Sequence, residues 1–575
     1  MMEPMAHENQ SPLVLGPLLR YAGQQEATIW VQTSRPAHVD VRIGADSWRA
    51  ATFRVEDHHY ALVVITGLES GQEYEYSVDV DGEPVWPLAK SPFPPSSIAT
   101  LQLNRPTRLA FGSCRTSVPH DEEFHRSHGV DALRTVSLAM AKGEAKRPDA
   151  LALLGDQVYA DETSPAMRDF LASRRDLDEP PYEEIKDFTE YAHLYGLAWS
   201  EPAIRWILSH VPSAMIFDDH DIRDDWNTSW SWHQEINQTS WWHERLIGGL
   251  SSYWVYQHIG NLAPDELAED EVWRLIGDSA PGEADLTQPL RALAERVDRD
   301  PTTYRWSYTR ALGDSHLIVL DSRAARVLEP TSRSMLDENE LKWFDEQLAG
   351  DIQHLFIGTS VPFLLPPGLH NAEAISESLA HPERSKPVRR GMEKVRQTVD
   401  LEHWAAFQSG FHDVFELVLS VARGERGTAP STVTFLSGDV HHSYVAEVLH
   451  PDAYGASSRI LQAVCSPIRN PMPRALRVLM SQMAKGLVQP MHWLAKRTKG
   501  VEEPPHPWEL THGPWFDNNL ALAEVDEDGR GLQLSWFTGD LVEDGDPVLR
   551  RVSTVHIDGA PAHRGSRDPE GASGG

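Results

Sequence analysis

Six short, isolated apolar runs constrain this chain more than any other feature: residues 108–111, 150–154, 213–217, 316–320, 354–357 and 433–436. They are too short for helices and too uniformly apolar for half-exposed strands, so they read as buried strands of a layered α/β domain. Nearly every run ends in a chemically loaded turn: Gly112-Ser113-Cys114, Gly155-Asp156, Asp218-Asp219-His220-Asp221, Asp321-Ser322-Arg323, Gly358-Thr359-Ser360 and Ser437-Gly438-Asp439-Val440-His441. Ligands in open α/β sheets bind beyond the carboxyl ends of the strands, so these turns can converge on one site.

Residues 12–100 follow a different pattern. Period-two runs at 27–33, 39–43, 60–65 and 74–80, with turns between them, predict a small antiparallel β-sandwich. Tyr74 and Tyr76, just after the turn 67–73, read as the tyrosine-corner strand of a fibronectin-like domain. Pro87, Pro92, Pro94 and Pro95 mark a linker to a core at 105–555. Within that core, residues 161–310 read as a helical insertion, and eight of the 19 tryptophans lie between Trp199 and Trp254. They suit the aromatic core of a cap, with an aromatic-lined substrate wall as the alternative. Residues 471–500 hold six Lys or Arg and no acid. They read as a solvated helix face, or else as a basic rim for an anionic substrate or a membrane-surface contact. The Gly-, Ala-, Ser- and Arg-rich end, 556–575, reads as a disordered tail.

Composition excludes several classes. With 85 Asp or Glu against 52 Lys or Arg, the net charge is −33, which rules out a general nucleic-acid coat. Two cysteines, Cys114 and Cys465, cannot build a disulfide framework and fit a reducing compartment. The first residues lack a basic and apolar leader, and no window approaches the length of a transmembrane segment. The expectation is a soluble, cytoplasmic protein. Its oligomeric state cannot be read from the sequence.

The turns themselves point to metal chemistry. In 154–161, Asp156 follows a glycine that allows a sharp bend, and a phenol (Tyr159) and a second acid (Asp161) follow it. Residues 217–227 carry Asp218, Asp219, Asp221, Asp224 and Asp225 with His220 and Asn227. So many like charges repel and raise one another's pKa values unless a polyvalent cation binds, the alternative being a solvated acidic loop. Asp439 and His441, two apart on an extended segment, point to the same side. Cys114 is either a buried hydrophobe or a thiolate ligand that would favour an iron-like ion, and Cys465, without acidic neighbours, belongs to the core.

At these motifs the sequence resembles the PhoD-type alkaline phosphatases of the calcineurin-like metallophosphoesterase superfamily. The matching places read Gly-Ser-Cys114, Gly-Asp156, Asp219-His220-Asp221, Gly-Thr-Ser360 and Gly-Asp439-Val-His441. The resemblance covers most of the chain and implies a four-layer α/β sandwich core behind the fibronectin- or immunoglobulin-like sandwich. It implies that Asp156 bridges two metals, with Cys114, Tyr159 and His441 on one and Asp219 and Asp439 on the other. The implied ions are Fe³⁺ and Ca²⁺, with other divalent metals as alternatives. His220 matches the histidine that approaches the scissile ester. Ser360 departs from the pattern, standing where many relatives have His.

The expected activity is metal-dependent hydrolysis of a small phosphorylated substrate, as a phosphomonoesterase or phosphodiesterase, by in-line attack of activated water. Arg115 and Arg323 are candidates to clamp non-bridging oxygens, or else ordinary ion-pair residues. The competing readings are a catalytically silent scaffold and a metal-dependent hydrolase of another ester or an amide. The insertion at 161–310 and the loop at 362–400 would decide between mono- and diesters.

Overall fold

A computed structural model gives the structure over residues 11–279, 282–398, 401–450, 453, 455–543 and 545–559. Two sheets form the centre of the core. The first, in the order Ser213–Ile216, Ala150–Leu154, Arg108–Gly112, Leu520–Val525, Leu532–Asp540 and Val548–Ile557, is parallel across its first three strands and antiparallel thereafter. The second runs Tyr308–Leu312, Ser315–Leu320, His354–Thr359, Thr432–Ser437, Arg459–Val464, Ser443–Val448 and Trp508–Trp515, with its four central adjacent strands parallel. Each apolar run of the sequence lies in one of these strands, and Ala150–Leu154 is buried along its whole length, as a strand covered on both faces must be.

The sheets pack face to face through Leu109, Phe111, Leu153 and Leu154 on one side and Leu317, Phe356, Leu436 and Leu461 on the other. Helices cover the outer faces: Ala132–Ala141 lies on the first sheet, and Gln408–Ala422 packs Phe411, Phe415 and Val418 against Ile357, Val433 and Phe435 of the second. The result is the four-layer α/β sandwich that the motifs imply.

The N-terminal domain is a β-sandwich. One sheet contains Leu13–Ala22, Glu26–Thr33, His58–Thr66 and Phe53–Val55, and the other Asp46–Ala51, His38–Ile43, Ser77–Val80 and Glu83–Trp86. The Tyr74 hydroxyl accepts the backbone N–H of Glu69 at 2.9 Å, a bond back to the preceding turn like that of a tyrosine corner. Tyr76 instead reaches out of the domain, donating to the Ser209 carbonyl at 2.6 Å. The insertion from the core adds a fifth strand to the first sheet, because Ala284–Asp285 pairs in parallel with Phe53–Val55. Buried Arg20 seals the junction by donating to the carbonyls of Tyr256 and Gln257 and to the Asn261 side chain.

The tryptophans of the insertion form an interior. Trp199, Trp242 and Trp254 are fully buried, and Trp254 packs edge-on against Phe53 of the sandwich while Tyr256 stacks on Tyr195. Of that group of eight, Trp230 is the one that is exposed. The expected tail is corrected at its start: strand Val548–Ile557 extends past 555, and residues 560–575 lie outside the described residues. Among the described residues no helix is long and apolar enough to cross a membrane.

Candidate metal centre

The loaded turns meet between the carboxyl ends of the two sheets. From the first sheet come Cys114, Asp156, Asp218 and Asp219, and from the second Arg323, Ser360 and Asp439. Two glycines allow the approach. A methyl at Gly155 would stand 2.7 Å from the Asp218 Cβ, and one at Gly438 would stand 1.8 Å from the Ser113 Oγ. Cys114, Asp156, Asp439 and His441 all take φ between 50° and 63°, a costly region for side-chain-bearing residues and one that clusters where function demands a particular aim.

Carboxylate oxygens of Asp156, Asp218, Asp219 and Asp439 lie within 4.8 Å of one another. Asp156 Oδ1 and Asp218 Oδ2 are buried and accept no hydrogen bond. Burial raises the Asp156 pKa well above the carboxylate range, that of Asp219 upward and that of Asp218 to about 8. Asp156 and Asp218, each with an undonated oxygen in this crowd of four acids, are unfavourable as bare anions, and a hard polyvalent cation supplies the missing charge. The donor set therefore fits a metal. Cys114 extends it on one side: its Sγ lies 3.3 Å from Asp156 Oδ2 and 3.7 Å from the Asp439 carbonyl. Burial and these acids hold its thiol pKa well above the ordinary value, so the thiolate requires a cation beside it.

Tyr159 is buried with its ring 4.7 Å from that of His220, and burial followed by Cys114 and Asp156 raises its phenol. His441 also belongs to the cluster electrostatically. Burial lowers its pKa to about 4, leaving the imidazole neutral, which is the form that ligates metals. His220 Nδ1 lies 2.9 and 3.1 Å from the two Asp161 oxygens. Burial opposes its charge, but Asp161 and Asp219 outweigh it and hold the pKa well above normal.

Several residues organise the site in ways that the motifs do not specify. Buried Asp221 accepts the backbone N–H groups of Asp156, Val158 and Asp218, fixing the Asp156 and Asp218 turns to one carboxylate. His403 spans Glu373 (Nδ1 to Oε1, 2.6 Å) and Asp439 (Nε2 to Oδ2, 2.8 Å). Burial would raise Asp439, but the His403 hydrogen bond and charge hold it well below the carboxylate range. Glu402, adjacent in sequence, pairs with Arg323 at 2.5 Å.

Two expectations require correction. Arg323 is fully buried and ion-paired with Asp218, Asp219 and Glu402, so its guanidinium is used up in holding acids and presents no face to a substrate. Arg115 is likewise enclosed, paired with Asp131 at 2.9 Å and donating to the Ala198 carbonyl. It anchors the start of helix Ala132–Ala141 rather than a phosphate. Cys465 is buried away from the acids, with Asn519 as its polar neighbour.

The PhoD-like phosphatase family matches residues 134–496, most of the chain. The chain belongs to the PhoD-like phosphatase family. Membership makes it a phosphoester hydrolase of a metal-dependent class, and the matched span contains every acid of the cluster, while Cys114 precedes it. A domain of unknown function (DUF7800) matches residues 10–98, the N-terminal sandwich. Among solved structures, one described as "Structure of PhoD" aligns over 96% of this chain and 92% of its own with a TM-score of 0.57 at 13% identity, a likeness of fold. The type III pullulan hydrolase from Thermococcus kodakarensis aligns at 8% identity with a TM-score of 0.14, too low to carry an argument. No curated protein matches the chain.

Proposed function

We propose that this PhoD-like protein hydrolyses small phosphate esters at a multinuclear metal site, with Asp156 shared between ions, Cys114, Tyr159 and His441 on one side and Asp219 and Asp439 on the other. The observation that carries the reading is the buried acid cluster with its two undonated oxygens. Asp218, paired with Arg323 through its other oxygen, is an added candidate ligand. The mixture of a thiol, a phenol, an imidazole and carboxylates suits a transition ion beside a hard one, and Fe³⁺ with Ca²⁺ is the proposed pair.

When bound, the metal pair supplies Lewis-acid polarisation of the phosphoryl oxygens and acidifies the attacking water. This chain's own residues do the rest. Asp221 fixes the backbone of the Asp156 and Asp218 turns. Arg323, paired with Asp218 and Asp219, and His403, bonded to Asp439, orient the acids of the cluster. With Nδ1 turned to Asp161 and Nε2 4.0 Å from the exposed Asp224 carboxylate, His220 is held as an imidazolium donor that can protonate a leaving oxygen. The Asp161 contact orients His220 for this role. A cytoplasmic setting for this activity is part of the proposal.

Elemental mass spectrometry of the purified wild type and Asp156→Ala, prepared in parallel, tests the reading. Two metal equivalents including iron, lost with phosphate-ester hydrolysis in the variant, are expected. Wild-type protein that takes up neither iron nor calcium would overturn it.

A further inference from the structure

The acid-free segment at 471–500 folds into two helices, Arg474–Ala484 and Val488–Ala495, which pack against helix Pro367–Ala380. Met480 and Met483 face inward, packing against the apolar cluster of Leu365, Leu369, Leu401 and Ala405, on which Val440, the residue between Asp439 and His441, also packs. The outer side carries large apolar groups in water: Val478 is 65% exposed and Trp493 56%, with Leu476, Leu479 and Leu494 beside them. The same segment carries Arg474, Lys485 and Lys499, and the Arg497 guanidinium lies 3.8 Å over the Trp493 ring. A neighbouring cavity of about 790 Å³ is of mixed charge, with Arg384, Arg389, Arg390 and Lys499 beside Glu377, Glu383 and Glu502, so the acid-free surface is confined to the hairpin segment.

In a protein of net charge −33, a segment with six cations and no acid of its own is a local attractor for anions. Exposed aliphatic groups, an amphipathic tryptophan and cations without intervening acids are the chemistry of helices that lie at the boundary of an anionic bilayer. We infer that the 474–495 hairpin docks this protein on an anionic lipid surface, with Val478, Leu479, Trp493 and Leu494 entering the headgroup region and Arg474, Lys485 and Lys499 meeting lipid phosphates. The strongly acidic remainder of the chain is repelled by the same surface, which fixes the orientation. Through Met480 and Met483, the docked hairpin shares an apolar cluster with Val440 of the Asp439–His441 turn.

Co-sedimentation of the full chain with vesicles tests this, using phosphatidylcholine alone and with about one third phosphatidylglycerol. Sedimentation with anionic vesicles only, weakening as salt rises, is expected. Arg474→Ala with Lys485→Ala should weaken it about thirty-fold, from the attraction of two basic residues near a charged surface. Val478→Glu with Trp493→Glu should abolish it while hydrolysis of a soluble phosphate ester stays unchanged. Absence of sedimentation, equal binding to neutral vesicles, or variants that bind like wild type would each overturn the inference. So would a wild-type oligomer that the Val478→Glu/Trp493→Glu variant dissociates, since the face would then be covered by a second copy.

Discussion

Gly438→Ala is the sharpest probe of how the metal centre is assembled. The added methyl would stand 1.8 Å from Ser113 Oγ, 2.2 Å from Ser113 Cβ and 3.2 Å from the Leu154 carbonyl. Comfortable carbon contacts begin at roughly 3.5 Å, so one of the two loops must yield by more than about 1 Å. Neither is free to do so. The Ser113 Oγ accepts the Asp439 N–H at 3.2 Å and adjoins Cys114 Sγ, so displacing it moves two proposed ligands at once. Overpacking costs about 1–3 kcal/mol and the lost hydrogen bond about 1 kcal/mol, giving roughly 2–4 kcal/mol in denaturant unfolding of the metal-free protein. A displacement of this size at the chemistry lowers kcat by about 100-fold. The second site gives the control. Ser113→Ala leaves the Cβ in place and should not rescue Gly438→Ala, whereas Ser113→Gly removes it and should restore metal content and most of the stability. Full activity and metal content in Gly438→Ala alone would refute the reasoning, as would equal rescue by both partners.

Three further outcomes follow from the same geometry. His403→Gln should lower metal affinity by about 10- to 100-fold in a competition titration while the fold persists, because Asp439 loses the group that orients it. Arg323→Met should cost about 3–5 kcal/mol in the chelated protein, measured by urea unfolding, since it leaves Asp218 and Asp219 buried without their cation and Glu402 with Arg326 alone. For pH, the folded-state pKa values of Asp218 (about 8) and Asp221 (about 7) lie above the unfolded value, so the folded form binds more protons between about pH 4 and 8. The chelated protein should therefore lose stability as pH rises through that window, with His441, lowered to about 4, opposing in part. Metal replaces those protons, so the melting-temperature gap between loaded and chelated protein should widen from acid to alkaline pH. A constant gap would contradict the assignment.

The acids that follow the apolar runs were legible because local grammar carries them: a buried strand, a turn, then Asp156, Asp219 or Asp439. The architecture was legible for the same reason, since a strand covered on both faces has few ways to be packed. What was not legible depends on contacts between distant segments. Glu402 and His403 lie between two helices, after no apolar strand, and reach the centre only through Arg323 and Asp439. An acid-histidine doublet before the apolar 404–407 stretch was the one signal available. For Arg323 and Arg115 the sequence left phosphate clamp and ion pair both open, because spacing does not tell whether a guanidinium turns toward the solvent side of a turn or back into it, and the structure shows the ion pairs. Asp218 and Asp219 stand side by side, and both reach the cluster, which period-two reasoning about an extended segment would not allow. A short 3-10 turn at Asp219–Asp221 breaks that alternation.

The strand that Ala284–Asp285 contributes to the N-terminal sandwich bears on how this chain can be divided. The family match ends that domain at residue 98, yet one edge of its sheet is completed by residues nearly two hundred positions later. Cut at 98, the fragment would present the open backbone of Phe53–Val55 and the aromatic face of Trp30 and Tyr60, surfaces on which unrelated chains add strands and aggregate. Gene fusion or domain exchange at that boundary would thus yield an adhesive product rather than a module. The sandwich and the insertion form one inheritable unit, and recombination has to carry both or neither.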